Sequence, residues 1–78
     1  GREEEMIRLE SIGMVQKWIS LLPPEQREVV KMRFYQEVPF KEIAEKTGVG
    51  ISTSLARMRY ALHNLRKMAQ REGMMSAN

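Results

Sequence analysis

The chain has 78 residues, no cysteine, and 13 basic against 10 acidic side chains, for a net charge of +3. That length makes one domain, 1–78, burying about 60% of the surface its unfolded chain exposes, and it leaves little room for a large catalytic pocket. The missing cysteines exclude a disulfide framework and thiolate metal sites.

No apolar run approaches the roughly 18 residues that cross a bilayer, and no basic, apolar, cleavable leader opens the chain, so a cytoplasmic protein without a membrane partner is expected. From Glu3 to Leu22 the apolar residues Met6, Ile7, Leu9, Ile12, Val15, Trp18, Ile19 and Leu22 recur at steps of three and four, which predicts an amphipathic helix over 3–22. Glu3, Glu4 and Glu5 fall in its first turn, where negative charge complements the helix dipole. Gly13 costs this helix ~1 kcal/mol relative to alanine. Trp18 is expected in the core. Pro23 and Pro24 end the first helix and start a second over 24–35, because proline at a first helical position loses only a hydrogen bond that would go unmade. Val29, Val30, Met32 and Phe34 give that helix its apolar content. Gln36, Glu37 and Val38 form a connection, and Pro39 marks the start of a third helix over 39–47.

The third helix places Phe40, Ile43 and Ala44 on one face and stops at Thr47 and Gly48; a fourth starts almost at once and spans 51–69. A short helix, a tight glycine turn and a longer helix make the helix-turn-helix pattern, in which the second helix lies in the major groove of DNA. Ala44 is small where the two helices cross, and Val49 is placed to plug the turn into the core. On a helical wheel Ile51, Leu55, Met58, Leu62, Leu65 and Ala69 form the core stripe of the fourth helix, flanked by Ser54, Ala61 and Met68. Opposite lie Ser52, Thr53, Ala56, Arg59, Tyr60, His63 and Lys67, with Arg57 and Asn64 on one edge and Arg66 on the other. Small residues precede large cations, an order that suits a helix entering the groove by its N-terminus. The segment 70–78 has no stable periodicity and is expected to fray. The whole is expected to be all-α, a four-helix helix-turn-helix bundle without a wing, with Trp18, Val30, Phe34, Ile43, Ala44, Val49, Met58 and Leu62 in one core.

Charge supports a polyanionic partner. Residues 1–37 hold six basic and seven acidic side chains, whereas 38–78 hold seven basic and three acidic, and no acidic residue lies between Lys46 and Arg71. Catalytic chemistry is missing. His63 is the single histidine, with no carboxylate or second ligand at helical spacing, so neither a zinc site nor a triad forms around it. Ser52, Thr53 and Ser54 lack a base, and neither glycine turn matches a phosphate-binding loop. No enzyme, cofactor or metal is expected.

The series Leu21-Leu22-Pro23-Pro24-Glu25-Gln26-Arg27-Glu28-Val29-Val30, Met32-Arg33-Phe34, Phe40-Lys41-Glu42-Ile43-Ala44-Glu45, Gly48-Val49, Thr53, Arg57-Met58 and Leu65-Arg66-Lys67 resembles the C-terminal, region 4 domain of bacterial RNA polymerase sigma factors, closest to the extracytoplasmic-function group. The resemblance covers residues 6 to 68. It implies binding to the minus-thirty-five promoter element and docking on the flap of the polymerase β subunit, and it makes the chain a piece of a longer sigma factor whose promoter-melting domain lies elsewhere. Arg33 then corresponds to a phosphate contact, and Pro39 and Phe40 to the place where backbone amides meet phosphate. Lys41, Lys46, Arg57 and Lys67 are further phosphate candidates. Ser52, Leu55, Ala56 and Arg59 correspond to the face turned to bases, joined there by Thr53, Tyr60 and His63.

Three positions depart from the family pattern. Gly50 replaces a serine or threonine helix cap, Ser54 replaces a buried valine or isoleucine, and Leu55 replaces a DNA-facing lysine or arginine. Either the fourth helix rotates to bury Leu55, as the wheel prefers, or Leu55 meets a thymine methyl. Two other readings stay open: the output domain of another helix-turn-helix regulator, which would dimerise on a palindrome, and a helical protein-interaction module that binds an anti-sigma factor. The sigma reading expects a monomer.

Overall fold

The computed structural model describes residues 12–73, and all regular structure among them is helical, with no strand. The expected first-helix start, with Glu3 to Glu5 and Met6, Ile7 and Leu9, lies outside the described residues, as do residues 74–78 of the expected frayed tail.

The first helix, α1, is described over 12–20 and ends in a turn in which the Leu21 and Leu22 amides donate to the Trp18 and Ile19 carbonyls at 3.0 and 3.1 Å. It stops short of the expected residue 22 because a proline disfavours helical backbone at the residue before it, here Leu22. Trp18, Ile19 and Leu22 are buried.

α2 spans Pro24–Val30, with Pro24 at its first position as expected. The Arg27 guanidinium donates to the Ser20 carbonyl at 3.3 Å and ties the start of α2 to the end of α1. The helix then widens. Residues Lys31–Tyr35 form a π-helical turn, closed by the Gln36 amide reaching the Lys31 carbonyl at 3.2 Å and the Val38 amide reaching the Met32 carbonyl at 2.9 Å. Glu37 supports this return in the left-handed region, φ 55°, a conformation uncommon outside glycine. The wide turn changes which side chains face inward: Phe34, expected in the core, is 60% exposed, and Val38 of the connection is buried instead. A constant 100° step places Phe34 above Val30, and the π turn breaks that step.

α3 covers Phe40–Thr47 and ends on Gly48, φ 70°. There the Val49 amide donates to the Ala44 carbonyl at 3.1 Å, the six-to-one bond of a glycine C-cap. The Thr47 hydroxyl donates to the Ile43 carbonyl at 2.7 Å, which anchors this side chain within the last turn. Val49 is half-buried, a partial plug.

α4 runs Ile51–Arg71, two residues past the expected end, and turns off at Gly73, φ 72°. Gln70 and Arg71 are thus helical rather than frayed.

The core joins Ile19, Leu22, Val29, Val30, Val38, Ile43, Met58 and Ala61, with Met32, Phe40, Leu65 and Met68 packed against it. Both α2 and α3 pack on α4, and Asn64 Nδ2 donates to Gln26 Oε1 at 2.7 Å between α2 and α4. The buried face of α4 is Ser54, Met58, Ala61 and Ala69, turned from the expected stripe by part of a helical step. Leu62, expected in the core, is 45% exposed, and Leu55 is 42% exposed where the wheel buried it. The reason lies in the packing of α3 on α4: the small side chains Ala44, Ser54 and Ala61 are buried, as a helix crossing favours. The fold is an all-α helix-turn-helix domain.

Candidate nucleic-acid interface

With Ser54, Met58 and Ala61 held inward, the opposite side of α4 is fixed in space. Ser52, Thr53, Arg59, Tyr60, His63 and Lys67 are all exposed there, Ala56 is half-buried among them, and Leu55 is exposed on the edge of that side, in line with Leu62 two turns on. The first turn and a half carries hydroxyls and a methyl, and the cations follow from Arg59 onward. Gly50 precedes the helix at φ −72°, ψ 159°, with no side-chain cap. The Ser54 amide takes the Gly50 carbonyl at 3.1 Å, so the amides of Ile51, Ser52 and Thr53, ahead of the first helical bond, point outward without a capping side chain.

α3 starts the same way. Pro39 caps it without an acceptor, the Ile43 amide takes the Pro39 carbonyl at 2.9 Å, and Phe40, Lys41 and Glu42 carry the outward amides. Beside this terminus the Arg33 guanidinium lies over the Phe40 ring, 5.5 Å from its centroid. The contact gives Phe40, half-buried against the core, a second use: it holds a cation from the π turn next to the positive end of α3. Two features that favour an anion therefore meet at one place. Lys41 is exposed in that first turn and Lys46 is exposed in the last.

Arg57 sits differently from the other phosphate candidates. It is half-buried and lines a recess with Glu25, Glu28 and Thr47, on the flank of α4 that meets α2. Pro24 and Arg27 complete the lining of that recess, at the start of α2.

A region that the sequence reading placed in the core is instead a groove. Ile12, Val15, Gln16, Ile19, Phe34, Tyr35 and Leu62 line an almost wholly apolar depression of about 510 Å³ between α1, the π turn and α4. The sequence carried one sign of it: Met32, Phe34 and Tyr35 crowd one helical turn, more bulk than a single inward face holds. Among the described residues no three histidine, aspartate or glutamate side chains gather as metal ligands, and no helix is long and apolar enough to cross a membrane.

A short helix, a left-handed glycine and a longer helix that presents small residues and then cations define a DNA-binding helix-turn-helix domain. The sequence pattern of the family described as Sigma-70, region 4 matches residues 18–67, nearly two thirds of the chain, and the chain belongs to that family. Curated proteins and solved structures gave no match. The family is one of DNA-binding regulatory domains that act with RNA polymerase in transcription, and it is not an enzyme family.

Proposed function

We propose that this domain reads the minus-thirty-five promoter element as the C-terminal domain of an extracytoplasmic-function sigma factor, working as a monomer in the cytoplasm. In this reading residues 1–78 are one unit of a longer chain, and α4 enters the major groove by its N-terminal half. Ser52, Thr53, Leu55, Ala56, Arg59, Tyr60 and His63 meet base edges. Arg33, Lys41 and the first amides of α3 hold one phosphate, and Lys46 and Lys67 flank the backbone. The supporting observation is the stacking of Arg33 on Phe40 at the uncapped start of α3. Phosphate contacts of this kind fix register, and base contacts then specify sequence.

Selection from a random duplex library tests the reading. The expected result is convergence on one short non-palindromic element, bound with a steep salt dependence by a protein whose light-scattering mass is that of a monomer. Convergence on a palindrome bound by a dimer would assign the domain to another class of helix-turn-helix regulator.

The apolar groove supports the second half of the reading, a polymerase contact away from DNA. Phe34, Tyr35 and Leu62 are exposed around it, and Leu62 lies two turns along α4 from Leu55, beyond the N-terminal half that enters the DNA groove. We assign it to the flap of the β subunit, and an anti-sigma factor would act by covering it. Titration with an isolated flap fragment should give binding that Leu62→Ala weakens. Undiminished binding by Leu62→Ala would place the flap elsewhere.

A further inference from the structure

Two neighbouring residues on α4 contradict the burial that stability alone would select. Ser54 is completely buried, and its Oγ has no hydrogen-bond partner. Leu55, next to it, is exposed. A hydroxyl without a partner inside costs stability and an isobutyl group in water contributes none, and exchanging polar for apolar at the two positions would improve both. Local violations of this kind concentrate at functional sites. Leu55 is not accounted for by the apolar groove either, since Leu62 lines that groove and Leu55 does not. It lies one turn from both Ser52 and Arg59, on the edge of the face that the helix-turn-helix crossing turns outward.

Resting on the DNA-reading role of that face, we infer that Leu55 is a specificity residue for the 5-methyl group of a pyrimidine in the recognised element. The major groove presents one apolar feature, the C5 methyl of thymine, and an exposed leucine on the reading face is matched to it. 5-Methylcytosine carries the same methyl at the same carbon, so the domain distinguishes 5-methylcytosine from cytosine by the same contact. Water excluded from one methyl is worth roughly fourfold in affinity. Ser52 and Arg59 on either side read polar edges, and Leu55 supplies the apolar one.

The test uses the duplex selected by the full chain. Each thymine is replaced in turn by uracil, which removes the methyl and leaves every hydrogen-bonding group in place. At the sensitive position cytosine and 5-methylcytosine are then compared opposite guanine. The expected result is a roughly fourfold loss with uracil at one position and a gain of similar size from cytosine to 5-methylcytosine there. Leu55→Ala should abolish both differences. Leu55→Lys should abolish them too while steepening the salt dependence by about one phosphate contact, which shows that the variant folds and binds. A library that fails to converge overturns the DNA reading and this inference with it. Convergence with no uracil-sensitive position overturns the inference alone, as does sensitivity that Leu55→Ala leaves unchanged. A thymine methyl effect without a 5-methylcytosine effect restricts the contact to thymine and overturns the claim for cytosine.

Discussion

The two sides of α4 were built by different rules. Toward α3, the buried residues of α4 are small, and the outward surface is polar and cationic. Toward α1 and the π turn, large apolar side chains, Phe34, Tyr35 and Leu62, stand exposed around a groove. The first side is finished without a partner, because its core is closed and its surface is solvated. The second leaves apolar surface in water. Under the proposed function, one helix is divided between two partners, its polar face for DNA and its Leu62 region for an apolar partner.

Mutations that separate the flanks test this contrast. Ile43→Ala should have the largest effect, ~2–5 kcal/mol of lost stability, because Ile43 is fully buried under the crossing. Leu62→Ala removes equivalent bulk from the open flank and should cost about 1 kcal/mol or less. Urea denaturation of the two variants reads the difference, and equal losses would show that the groove is part of the closed core. Ser54→Ala should stabilise by about 1 kcal/mol, since it deletes an unpartnered buried hydroxyl and favours the helix. A loss on thermal melting would reveal a hydrogen bond for that hydroxyl. Glu37→Gly should stabilise by roughly 1 kcal/mol by removing a side chain from the left-handed region at the exit of the π turn, with the same melting assay as its check.

The closed flank was legible in the sequence because its signals are local. Pro24, Pro39 and Gly48 mark boundaries by backbone chemistry, and Ile43, Ala44 and Met58 follow a regular helical step. The open flank was not legible, and the reason is specific. A π turn over Lys31–Tyr35 depends on the long reach from Val38 to Met32, and a wheel drawn at constant pitch places Phe34 inside. On α4 the wheel followed the bulk of Leu55 and Leu62, whereas the crossing selected small residues and buried Ser54. Size at the contact outweighed hydrophobicity. Of the candidate interface, the outward face of α4 was visible as an order of residue types. The stacking of Arg33 on Phe40 joins residues seven apart across a turn, and the recess around Arg57 depends on where α2 lies, so neither had a local signal.

The central claim is that the outward face of α4 reads bases while Arg33, in the π turn beside the start of α3, holds the backbone. Titrating Arg59→Ala and Arg33→Ala on the selected duplex and on a scrambled one, each at two salt concentrations, tests it most directly. Arg59→Ala should lose ~1–3 kcal/mol on the selected duplex and much less on the scrambled one. Arg33→Ala should weaken both duplexes alike and lower the salt slope by about one. Equal losses on both duplexes for Arg59→Ala would reduce it to a phosphate contact, and no loss from either variant would contradict the account, because the DNA would then lie on another face.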